Sequence, residues 1–142
     1  MKRVVVVVCS CLALAGLASQ AAVGGSDAST SEAAKVRAQL VYEVGLFNQA
    51  RWQQLWQTYT PRVRKGCSYR RFVAGMKSIR AHYGRATVRN VTVRVRGQRA
   101  SVLYQIIAHG KVAGGATAKN PDIFARIGSR WFDDVDPGGL CP

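Results

Sequence analysis

An α+β fold, with helices in the first half of the chain and antiparallel strands in the second, follows from three features of the 142-residue sequence. Apolar residues recur every three or four positions up to Tyr83. The period switches to two immediately after Gly84. A Gly-Gln pair then sits between two alternating runs, where a hairpin turn is wanted. At this length the chain is one domain.

The elements are taken in order. Residues 1–21 open with MKR, run on through VVVVVCSCLALAGLA and close on small residues, the pattern of a secretory signal peptide. Cleavage after Ala21 puts Ser19 and Ala21 at the small positions before the cut; a retained anchor, or a lipid on a cysteine of the apolar run, are the alternatives. Residues 22–30 read as a flexible tether, and 31–142 as the folded domain. Ser29 and Glu32 have capping-box spacing. Val36, Leu40, Val44 and Phe47 then form the apolar stripe of a first helix ending near Asn48. A second, short helix carries Trp52, Leu55, Trp56 and Tyr59 and stops before Pro61. The third starts at a Ser68 cap, keeps Tyr69, Phe72, Met76, Ile79 and Tyr83 on one side, and ends at Gly84, where a left-handed residue is favoured. ATVRNVTVRVR and RASVLYQIIAH alternate as a hairpin of two strands, with Val91, Val93 and Val95 on the inner face. GKVAGGATAKNPD reads as a flexible connector, and DIFARIGSRWFDD as a third strand with Ile123, Ile127 and Trp131 on one side.

Twenty-one Lys and Arg residues against seven Asp and Glu give a formal charge of +14, or about +12 once Lys2 and Arg3 are removed. Such a chain is drawn to polyanions at low ionic strength. The densest basic stretch holds Arg62, Arg64, Lys65, Arg70 and Arg71, a candidate polyanion-binding face for anionic cell-envelope polymers. Nucleic acid is not expected, because the aromatic residues follow core periodicity and are not interleaved with the basic ones. Beyond the leader no apolar run is long enough to span a bilayer. Cys67 and Cys141 are the two cysteines of the expected mature chain, and in an exported protein they most simply pair. Such a bridge, closing a loop of more than seventy residues, would stabilise by roughly 4 kcal/mol; two free thiols are the alternative.

Several segments together resemble a known superfamily: VRAQLVYEVGLFNQARWQQLWQTYTP, FVAGMKSIRAHYG, GQRASVLYQ and FARIGSRWFDD. They are similar to the nuclear transport factor two-like proteins, also called polyketide-cyclase-like or cystatin-like, and among these to the small exported actinobacterial type. The resemblance spans about Ser31 to Asp134. It implies about three helices packed on a strongly curved antiparallel sheet, a cone-shaped α+β barrel whose open end admits a small ligand. Members usually have more strands than the three read here, so a further strand is expected near Tyr59–Val63 or in the connector after Gly110.

Catalytic members of that superfamily place an Asp, Glu or His inside the cone as general acid or base. The candidates here are Glu43, one position off the helical stripe, His109 at the end of the second strand, and Asp133, which shares strand parity with Trp131. For Glu43 a solvated or salt-bridged side chain is the competing reading. Asp133 and Asp134 point to opposite faces of a strand and cannot act side by side. Trp52, Trp56, Tyr104 and Trp131 are candidate pocket-lining residues. No metal-ligand spacing, phosphate loop or nucleophile elbow is present, and no cofactor is expected. The expectation is an exported, secreted or envelope-associated bacterial domain that binds a small apolar ligand or a protein partner without catalysis. The alternatives are a small enzyme of isomerase, cyclase or hydrolase type, and a cationic envelope-associated protein.

Overall fold

The computed structural model describes residues 24–135, with side chains from residue 30 onward. The leader and Cys141 lie outside the described residues. Four helices, α1 (Gly24–Asn48), α2 (Trp52–Gln57), α3 (Pro61–Gly66) and α4 (Tyr69–Tyr83), precede five strands, β1 (Ala86–Arg96), β2 (Arg99–Ala108), β3 (Lys111–Ala116), β4 (Asp122–Ile127) and β5 (Arg130–Asp133). The helices pack on one antiparallel sheet, which is an α+β fold; the sheet does not close on itself.

Helix α1 begins at Gly24, inside the expected tether, so Ser29 and Glu32 do not form its terminus. Glu32 instead accepts the indole N–H of Trp131 at 2.9 Å and pairs with Lys35 and Arg126. The buried stripe of α1 is Val36, Leu40 and Glu43, spaced four and three apart, with Leu46 beside it. PRVRKG, which overlaps the expected place of a further strand at Tyr59–Val63, forms a helix, α3: Pro61 occupies the first turn and the Thr60 hydroxyl accepts from the Val63 N–H. Helix α4 matches its expected span, with the Ser68 hydroxyl accepting from the Arg71 N–H at 3.3 Å and Gly84 at φ +67°.

Strand β2 is the centre of the sheet. Its whole length pairs with β1, and on its other edge β4 pairs with the first half and β3 with the second. The connector after Gly110 therefore contributes the additional strand, β3. Gly115 has a steric reason: a Cβ there would lie 2.1 Å from the Tyr104 carbonyl oxygen. Near Tyr59 there is no strand, only a single parallel bridge from Tyr59 to Asp133. The expected third strand is a hairpin, folded at Gly128–Ser129 into β4 and β5, and this turn leaves Ile127 exposed. Register shifts interrupt the β1–β2 ladder between Arg89 and Thr92 and the β2–β3 ladder between Ile106 and Ile107. Such bulges bend and twist a sheet.

Two apolar clusters hold these layers. One, among the helices, contains Leu46, Leu55, Val63, Cys67, Phe72 and Met76. The other joins the first half of α1 to the sheet through Val36, Leu40, Ala100, Val102, Phe124 and Trp131. Asn48 fixes where they part. Its side-chain amide donates to the Ala86 carbonyl at 2.7 Å and accepts from the Ala86 N–H at 2.8 Å, tying the end of α1 to the start of β1. Between the clusters a space is left.

Candidate functional site

That space is a cavity of about 240 Å³. Leu40, Val44, Phe47, Leu55, Met76 and Ile106 supply much of its apolar wall. Glu43, Asp122 and Asp133 reach it, together with the phenols of Tyr59, Tyr83 and Tyr104. The three carboxylates come from three elements, α1, β4 and β5, so only the tertiary fold brings them together.

Glu43 lies on the buried stripe of α1 and is 7% exposed. It is neither solvated nor salt-bridged. The Gln39 amide, one turn earlier, donates to its Oε1 at 2.9 Å. Burial pushes its pKa up to about 8 against the opposing hydrogen bonds from Gln39 and Thr58, and the charge of Asp122 adds to the rise. Loss of hydration penalises the ionised form of a buried carboxyl, and no nearby cation offsets that penalty.

Asp122 opens β4, on the same inward face as Phe124. Its Oδ1 accepts the Ile123 N–H at 3.0 Å, and its Oδ2 accepts the Tyr104 hydroxyl at 2.9 Å. Burial raises its pKa despite both bonds. The same burial, together with the adjacent Asp122, lifts the Tyr104 phenol far above its usual range, so this side chain remains a hydrogen-bond donor.

Asp133 ends β5 and is held by main-chain bonds on both sides. Its N–H donates to the Thr58 carbonyl at 3.0 Å, and its carbonyl accepts the Thr60 N–H at 2.8 Å. Its Oδ1 accepts the Val135 N–H at 2.9 Å. Burial first, then the charges of Asp122 and Glu43, hold its pKa well above the ordinary carboxylate range. Tyr59, 6% exposed, stands beside it, its phenol raised by burial and by Asp133. Asp133 is therefore no exposed rung at the strand end: its parity with Trp131 carries it inward.

The next residue faces out. Asp134 accepts the Thr60 hydroxyl at 2.7 Å, Arg62 Nε at 3.1 Å and Arg99 Nη2 at 3.3 Å, while Arg62 Nη2 also donates to the Asp134 carbonyl. This seam closes β5 against α3.

The other candidates lie elsewhere. His109 is exposed in the turn between β2 and β3, with φ +49°, and its ring packs near Gly84 outside the cavity. Of the four aromatic residues expected to line a pocket, only Tyr104 lines this cavity, while Trp52 borders open surface clefts. Trp52 stacks edge-on against Phe47 at 5.9 Å, Trp56 packs on Phe72 at 4.9 Å, and Trp131 sits in the sheet-side core. Among the basic candidates, Lys65, Arg70 and Arg71 are exposed, Arg64 is half-buried and Arg62 is engaged with Asp134. Cys67 is buried at the end of α3. Its expected partner, Cys141, lies outside the described residues.

Sequence reasoning missed Asp122 and Tyr59 as site residues. Asp122 could have been found, because it stands two positions before Phe124 on a strand whose inner face is apolar.

Fold and site together define an α+β domain with an acidic, phenol-lined internal cavity. Among the described residues no three His, Cys, Asp or Glu side chains are arranged to hold a metal ion, and no helix is long and apolar enough to cross a membrane. Comparison with protein-family models and with curated proteins finds no match.

Proposed function

We propose that this is an exported small-molecule-binding domain built on a nuclear transport factor two-like scaffold, and that the cavity between α1, α4 and the sheet receives the ligand. The observation that carries this reading is the composition of the cavity: an apolar wall facing a cluster of carboxyls and phenols, in a volume of about 240 Å³. Binding sites pair a hydrophobic lining with a few placed polar groups, and at this size the ligand is smaller than the ~300–1,000 Å³ range of drug-sized pockets. Helices over a bulged antiparallel sheet, with strand order β1-β2-β4-β5 and β3 on β2, support the scaffold reading.

The test is methyl NMR of the domain with small neutral alcohols, amines and acids as probes. Shifts confined to Leu40, Val44, Ile79 and Ile106 support the reading. No shift at any of them with any probe contradicts it. Export and the Cys67–Cys141 bridge are tested by a thiol reagent on the secreted protein: labelling only after reduction is expected, and labelling before reduction contradicts the bridge.

Acid–base catalysis is the second reading, favoured by one observation: Glu43, its pKa raised to about 8, shares the cavity with the hydrogen-bonded Tyr104–Asp122 pair. A carboxyl poised near neutrality can give or take a proton efficiently. Glu43 or Asp133 would move the proton, and the Tyr104 hydroxyl would steady a developing oxyanion, in an isomerase, cyclase or hydrolase. Turnover of an enolisable ketone, epoxide or ester that Glu43→Gln abolishes is expected on this reading. Turnover unaffected by Glu43→Gln and Asp133→Asn contradicts it.

A further inference from the structure

The acidic side chains among the described residues divide between two environments. Outside the cavity, each described carboxylate is paired with two basic side chains: Glu32 with Lys35 and Arg126, Asp134 with Arg62 and Arg99. Inside, Glu43, Asp122 and Asp133 have no basic partner among the described residues, and none of the fifteen residues lining the cavity is Lys, Arg or His. In a chain with 21 Lys and Arg residues, this is no shortage of cations. The three carboxylates are not arranged as metal ligands either.

A second observation is independent of the carboxylates. Tyr59 is more than nine-tenths buried and lines the cavity, and its hydroxyl has no hydrogen-bond partner among the described residues. The ring is buried while the hydroxyl stays accessible from the cavity, so a group that enters can pair with it. Asp133 adds a second open atom: its Oδ1 accepts from the Val135 N–H, and its Oδ2 has no hydrogen-bond donor.

Resting on the reading that the cavity binds a small molecule, we propose that its ligand is a small protonated amine, held with its ammonium among Glu43, Asp122, Asp133 and the Tyr59 hydroxyl and its apolar body against Leu40 and Met76. An ammonium brings three donors and no acceptor, which matches a site whose open atoms can accept. The phenol rings of Tyr59 and Tyr104 and the ring of Phe47 add faces that attract a cation. The titratable groups facing the site are Glu43 from α1, Tyr59 after α2, Tyr83 from α4, Tyr104 from β2, Asp122 from β4 and Asp133 from β5. A bound cation offsets the burial penalty, and for Glu43 and Asp133 the added repulsion of neighbouring carboxylates, that raises these carboxyls' pKa values. Binding therefore releases protons, and amine affinity rises with pH through the region near 8 where Glu43 titrates.

The experiment compares n-hexylammonium, 1-hexanol and hexanoate, equal in chain length, by calorimetry and methyl NMR on the domain. At pH about 8 the amine is expected to bind at least about tenfold more tightly than the alcohol. Its affinity falls on acidification while the alcohol's does not, and hexanoate is the weakest of the three. Asp133→Asn lowers the amine-to-alcohol ratio, and Glu43→Gln serves as a second variant should the first melt below the assay temperature. If the alcohol matches or exceeds the amine while the lining methyls shift, the ammonium assignment is overturned and the cavity reading stands. If no probe shifts the lining methyls, both fall. An amine that perturbs only surface signals overturns the assignment as well.

Discussion

Asp133 and Asp134 leave β5 in opposite directions and meet opposite chemistry. Asp134 turns outward to Thr60, Arg62 and Arg99, and its charge is matched by two guanidiniums. Asp133 turns inward to a cavity shared with Glu43 and Asp122, where no basic side chain among the described residues balances it. One peptide bond separates a carboxylate that fastens two elements from one whose pKa burial raises. The difference teaches that the seam serves the fold, whereas the cavity keeps groups that folding alone would have paired or replaced.

The largest expected effect tests the inner region. Glu43 has a folded pKa of about 8 against 4.5 for an ordinary glutamate, so its contribution to stability is fully present below 4.5 and is lost as pH rises through 8. At 1.36 kcal/mol per pH unit that span corresponds to about 5 kcal/mol. Denaturant melts of the ligand-free domain should show stability falling from pH about 5 to about 8, and Glu43→Gln should reduce that slope, with Asp122 and Asp133, whose pKa values burial also raises, carrying the remainder. A slope of the opposite sign would remove the distinction between the two regions.

The outer seam predicts a smaller loss. Asp134→Ala leaves the Thr60 hydroxyl, in a residue 3% exposed, without its acceptor, and should cost about 2 kcal/mol in the same melts. Asp134→Asn keeps an acceptor for Thr60 and removes only the charge. Because Arg62 and Arg99 are 61% and 65% exposed, that variant should cost less than about 1 kcal/mol, and molar salt should erase the difference from wild type. An effect of similar, small size belongs to the link inside the cavity. Tyr104→Phe removes the hydrogen bond to Asp122 and should cost about 1 kcal/mol, while shifting the Asp122 titration further upward, since that bond favours the ionised form.

How much of this was legible in the chain depends on which force writes each element. Period-two alternation in β1 and β2, and the Tyr69–Tyr83 stripe with its Ser68 cap, are local patterns, and they read directly. Thr60-Pro61 is a helix-start signal, but the basic residues around it carry no apolar period, so no helix is expected at α3 and Tyr59–Val63 reads as a place for a further strand. Strand β3 is held by main-chain pairing to β2, with Gly115 where a side chain would collide, so its residues carry no alternating signature. Glu43 was misplaced because Val44, being apolar, was put on the stripe in its stead. The spacing from Val36 and Leu40 fits either position, and only the neighbouring elements decide. Asp122 follows Pro121 at the end of a loop, where a lone aspartate looks like a turn residue. Its role emerges only when β4 pairs with β2 and Tyr104 arrives beside it.

The central claim is that the cavity carboxyls face one another without a counter-charge. Carbon-detected NMR of the Glu43 side-chain carboxyl across a pH titration of the ligand-free domain tests it most directly. A midpoint near 8 is the predicted result. A midpoint in the ordinary glutamate range, at about 4.3, would mean that Glu43 is solvated or paired with a cation and would contradict the account.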